Sequence, residues 1–157
     1  MHGAISYETD YYAWTQDQAR RLREAAALGA NLPLDFETLA EEVESMGRSS
    51  ARAVVSALTR IIEHLLKLEY SPAVAPRDGW EDSVNIHRDH AQRELADSPS
   101  LYGRIDLPGA YLRALTFASR GLARDGTPLC GLPTTCPYSF EQILDIDWWP
   151  INRHGLE

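Results

Sequence analysis

Apolar residues recur three and four positions apart along almost the whole chain, and no stretch alternates with the two-residue period of a half-buried strand. That periodicity makes the expected fold all-α. Gly29 ends a first helix of about Asp10–Leu28, because glycine accepts the left-handed conformation common at helix C-termini. Trp14, Gln18, Leu22 and Ala25 share one face of it. Asp35 is the expected N-cap of a second helix, with Leu34 and Leu39 spaced as a hydrophobic staple and Glu37 near the positive end. Gly47 is expected to stop that helix and Ser49 to cap a third, reaching about Tyr70 with Val54, Leu58, Ile61, Ile62 and Leu65 on its apolar face.

Pro72 and Pro76 then break the chain. Asp78 is the expected cap of a fourth helix, about Gly79–Ala96, with Trp80, Val84, His87, Ala91 and Leu95 as its buried stripe. Asp106 caps a fifth, on which Tyr111, Ala114, Leu115, Ala118 and Leu122 line up. Ser139 and Gln142 fit a capping box on a short last helix. Connections are mostly short, so the expectation is a single domain over residues 1–157, an antiparallel bundle of five to six helices.

The formal net charge of -8 disfavours nucleic acid, whose phosphates it repels. The basic run Arg20, Arg21 and Arg23 lies among acids and reads as a solvated face. No apolar run reaches the roughly 18 residues of a membrane span, and the N-terminus lacks the basic start and apolar core of a secretory signal. A cytoplasmic location follows as the expectation, with Cys130 and Cys136 reduced. Two thiols in CGLPTTC complete neither a structural zinc site nor a CxxC redox motif. There is no phosphate-cradling glycine loop and no nucleophile elbow, so no cofactor is expected.

The stretches YETDYYAWT, LAEEVESMGRS, LTRIIEHLLKLEY, DSPSL and CPYSFEQILDIDWWP occur in this order. Together they resemble the bacterial proteins of domain of unknown function family 29, over about residues 7–150. The resemblance implies a small all-helical protein and a bacterial source, with no activity, substrate or cofactor attached. The positions matching its motif are Asp10, Trp14, Glu41, Glu42, His64, Lys67, Trp80 and Arg88, with Pro99, Ser100 and Leu101 in the turn. They form the candidate functional cluster. In the family a serine usually precedes the tryptophan matched by Trp80, and here Gly79 stands there.

The acidic stretch LDFETLAEEVESMG tests whether that cluster is one site. With Val43 at the centre of the apolar face, Glu42 and Glu44 sit roughly 100° to either side and Glu41 points outward, so the three acids diverge. If the chain folds back at Gly47, Glu42 and His64 lie about 15 Å apart along the bundle, too far to share an ion. Asp10 and Trp14 then fall near Glu41 and Glu42, while His64 and Lys67 fall near Trp80 and Arg88. A second arrangement uses His64 with His87, His90 and Glu94, spaced as bundles present inward metal ligands.

Two function classes remain. The leading one is a non-enzymatic interaction protein that self-associates through an apolar face or offers its negative surface to a protein partner. The alternative is a metal-dependent enzyme on His64, His87, His90 and Glu94. Trp148 and Trp149 either both pack on the bundle or leave one ring as a contact surface.

Overall fold

The structure is a computed structural model that describes residues 5–127 and 131–157. Cys130 lies outside the described residues. Among the described residues the fold is an all-α helical bundle without strands. Its helices are α1 (Tyr11–Ala27), α2 (Phe36–Tyr70), α3 (Arg77–Asp97), α4 (Leu107–Arg124) and α5 (Phe140–Leu144), with a 3-10 turn at Pro99–Gly103. The chain divides into two compact units: the described residues up to Ala53 with Arg93–Ile105, and Val54–Gln92 with Asp106–Glu157. Both α2 and α3 contribute to each.

The stop expected at Gly47 is absent. Helix α2 runs unbroken through it, and Ser49 lies inside the helix and caps nothing. A Cβ at position 47 would stand 2.2 Å from Thr15 Oγ1 and 3.3 Å from Thr15 Cβ. The glycine therefore permits close approach of α1, and its helix-breaking tendency of about 1 kcal/mol is absorbed by the long helix around it. The fold-back premise fails with it. At about 1.5 Å per residue, the steps between Glu42 and His64 along one helix span roughly 33 Å.

Several of the expected caps hold, and others do not. Asp10 caps α1, Asp106 caps α4, and Ser139 with Gln142 closes both halves of a capping box on α5. Asp35 accepts from the Thr38 amide at 3.1 Å. The staple beside it does not close, since Leu34 and Leu39 are both exposed. Asp78 lies in the first turn of α3, which starts at Arg77, one residue before that aspartate.

The larger core belongs to the second unit. There Leu58, Ile61, Ile62 and Leu65 of α2, Val84 of α3, Ala114, Ala118 and Leu122 of α4 and Ile143 of α5 are wholly buried. The fully buried member of α3 between Val84 and Ala91 is Arg88; His87 beside it is only half-buried.

Candidate functional site

The first unit is organised by Asp10. Its carboxylate accepts from the Ala13 amide at 2.8 Å, which caps α1, and also from the Ser100 amide at 2.7 Å and hydroxyl at 2.9 Å. In return the Tyr12 amide donates to Ser98 Oγ at 3.0 Å. Each helix start thus borrows a cap from the other, which satisfies amides that helix geometry leaves free. Leu101 is buried beneath this joint.

Trp14 packs against Tyr7 and Tyr11, with ring centroids 5.0 and 6.3 Å away. Beside these rings lies a cleft of about 460 Å³ lined by Tyr7, Glu8, Tyr11, Ser50, Glu94 and Asp97. Partial burial, then the nearby Tyr7 and Glu94, push the Tyr11 phenol above its ordinary value, so it stays protonated. Glu94, a metal-ligand candidate on sequence, belongs to this cleft.

The acidic stretch is not a site by itself. Glu41 and Glu42 are exposed, whereas Glu44 accepts from Arg23 of α1 at 2.9 Å, which holds its carboxyl below the usual range. The basic run is matched locally, with Arg20 paired to Asp17 and Glu24 and Arg21 to Asp17.

In the second unit α2 carries Arg60, Glu63, His64 and Lys67 at helical spacing. Glu63 is buried, and its two oxygens accept from Lys67 Nζ at 2.8 Å and Arg60 Nη1 at 2.9 Å. Burial opposes its ionisation, but the bond and charge of Lys67, with help from Arg60, outweigh that and keep its carboxyl below the ordinary value. A Cβ on Gly121 would lie 2.6 Å from Lys67 Cε, so the missing side chain makes room for the lysine stem. Lys67 Nζ lies 6.0 Å from the Trp80 ring centroid. His64 has a buried Nδ1 without a partner, and burial, with lesser help from Lys67, Arg60 and His87, lowers it to about 4. It is neutral at pH 7.

Arg88 is a clamp. Its guanidinium is wholly buried, with Nε donating to the Ile143 carbonyl at 2.9 Å and Nη2 to the carbonyls of Gln142 at 3.1 Å and Trp148 at 2.9 Å. It stacks 4.8 Å from the Trp149 centroid, and Trp148 meets Tyr138 at 5.5 Å. Both C-terminal tryptophans are therefore engaged and half-buried. Burial disfavours the Arg88 charge, and the nearby Asp145 partly restores it.

The structure brings Lys67 beside Trp80 and His64 near His87, but Asp10, Trp14, Glu41 and Glu42 belong to the other unit. Among the described residues no three His, Cys, Asp or Glu groups are placed to hold a metal ion. His87 Nδ1 bonds the Ser83 carbonyl at 2.7 Å and its ring meets that of His90 at 6.0 Å, while Glu94 belongs to the first unit. Cys136 keeps a free thiol, raised by burial, that donates to the Tyr138 carbonyl.

Residues 6–149 match the family described as Domain of unknown function DUF29. The chain belongs to this family. A solved structure is similar to it: a crystal structure of an alpha-helical protein of unknown function from Rhodospirillum rubrum ATCC 11170. The two are 29% identical over 93% of each chain, with a TM-score of 0.78. No curated protein matches. Within this DUF29 chain, Asp10 and Ser100 build the α1 joint and Arg88 anchors α5 together with the segment after it. Tyr7, Glu8, Tyr11 and Asp97 were missed as site residues by sequence reasoning; the aromatic and acidic density of YETDYY was a signal for the first three, and Asp97 had none.

Proposed function

We propose that this DUF29 protein is a non-catalytic binding protein of bacterial cytoplasm whose first unit takes a lysine or arginine side chain of a protein partner. The observation that carries the reading is the cleft in which the Tyr7 and Tyr11 rings stand among the carboxylates of Glu8, Glu94 and Asp97. Tyrosine faces attract desolvated cations, carboxylates supply charge-assisted acceptors, and tyrosine is enriched at interfaces. The formal charge of -8 would speed encounter with a basic partner at low salt.

No described helix is long and apolar enough to cross a membrane, which is compatible with this reading. The test is a titration with a short arginine- and lysine-containing peptide, followed by the NMR signals of Tyr7 and Tyr11. Saturable shifts that weaken about tenfold or more in Glu94→Gln and Asp97→Asn, and with added salt, are expected. Unchanged affinity in both variants overturns it. A dimer in light scattering that dissociates in a variant of the exposed Leu34, Leu34→Asp, with no peptide response, would transfer the function to self-association.

A further inference from the structure

A second cleft, wholly in the second unit, has a different chemistry. It measures about 370 Å³ and is lined by Arg77 and Glu81 of α3 and by Trp149, Pro150, Ile151, Asn152, Leu156 and Glu157 of the C-terminal segment. That volume lies at the small-molecule end of ligand sites. Arg77 is only 8% exposed, yet of its guanidinium atoms Nη1 donates to the Leu68 carbonyl at 3.1 Å while Nε is buried without a partner. A buried cationic donor left unpaired costs on the order of 1–3 kcal/mol, so it marks a place where an acceptor is missing.

The walls specify the rest. Trp149, Pro150 and Leu156 are apolar, and Ile151 stands 89% exposed with nothing over it. Asn152 at the base is fully committed: its amide donates to Leu68 and Ser71 carbonyls at 2.7 and 2.9 Å, and its oxygen accepts from the His154 amide at 2.7 Å. Glu81 follows Arg77 by one helical turn and so faces the same side of α3. One basic and one acidic side chain on one face, opposite an apolar wall, is a pattern for a zwitterion with a hydrocarbon body. A simple carboxylate would meet Glu81 and Glu157 unpaired, and a simple amine would leave Arg77 unanswered.

We infer that this cleft binds a free apolar α-amino acid, its carboxylate on Arg77, its ammonium on Glu81 and its side chain against Trp149, Ile151 and Leu156. The probe is L-leucine, titrated by calorimetry and by the indole NMR signal of Trp149, beside leucinol, 4-methylpentanoate and L-aspartate. Saturable leucine binding in the millimolar range or tighter is expected, with leucinol and 4-methylpentanoate each at least tenfold weaker and aspartate silent. Arg77 also holds the end of α2, so the informative variant is Glu81→Gln. It should keep the unfolding midpoint, lose about tenfold in leucine affinity and narrow the gap between leucine and 4-methylpentanoate. Leucinol binding as well as leucine, an unchanged Glu81→Gln, or no response to leucine would each overturn the assignment. None of these outcomes depends on the tyrosine cleft.

Discussion

Between Val54 and Leu68, α2 buries a continuous apolar face together with Glu63, whereas between Phe36 and Ala53 it buries Ala40 and Gly47 and leaves Leu39 and Met46 in solvent. One helix thus serves two kinds of stabilisation. Around its later part, charges are taken inside and answered there: Glu63 by Lys67 and Arg60, and Arg88 of α3 by three carbonyls. Around its earlier part, a close contact at Gly47 and a reciprocal cap at Asp10 do the holding. Buried charge makes the second unit sensitive to single side chains, while the first, with its open tyrosine cleft, has less to lose and more surface to offer.

The sharpest way to break that contrast is Arg88→Leu. Three carbonyls would be left without their donor, and a loss of about 4 kcal/mol or more is expected in urea denaturation. Arg88→Lys should rescue little, because the three donors of an ammonium radiate from one atom and cannot reproduce the separate positions of Nε and Nη2. A loss below about 1 kcal/mol would remove the distinction between the units.

Next comes acid. His64 is ordinarily near 6.5 but is held at about 4 in the folded chain, so the unfolded state takes up its proton first as pH falls. Its contribution is complete above pH 6.5 and is lost between 6.5 and 4. Stability measured across that window should fall less in His64→Phe, by up to about 3 kcal/mol. An identical acid limb would place the sensitivity elsewhere.

In the first unit the effects shrink. Gly47→Ala should cost about 1–2 kcal/mol, because Thr15 must give way. The opposite sign, a gain near 1 kcal/mol from helix propensity, would mean that the α1 contact is loose. Asp10→Ala should cost roughly 1–2 kcal/mol by thermal unfolding through loss of its cap. Glu41→Gln and Glu42→Gln should change stability by less than about 0.5 kcal/mol, and a larger effect would reopen the acidic stretch as a site.

What was legible in the sequence is what short-range chemistry decides. The caps at Asp106 and Ser139, the helical class and the divergence of Glu41, Glu42 and Glu44 all follow from neighbours within one turn. Gly47 was not legible, because a glycine that ends a helix and one that admits a neighbour look alike until Thr15 is placed beside it. Arg88 was hidden in the same way. Stripe counting favoured His87, and the carbonyls that make a buried guanidinium acceptable come from Gln142, Ile143 and Trp148, far along the chain. Both clefts join segments distant in sequence, and no spacing rule reports them.

The last turn of α2 has a further consequence. The carbonyls of Leu68 and Ser71 are taken by Asn152, that of Glu69 by the Arg153 amide, and that of Tyr70 by His154. On the ribosome α2 is made well before Asn152, Arg153 and His154, so the carbonyls of Glu69, Tyr70 and Ser71 lack these partners until those residues have been made. A nascent chain stalled before Asn152 should therefore show protease cleavage just after Tyr70, and release of the remaining residues should abolish it.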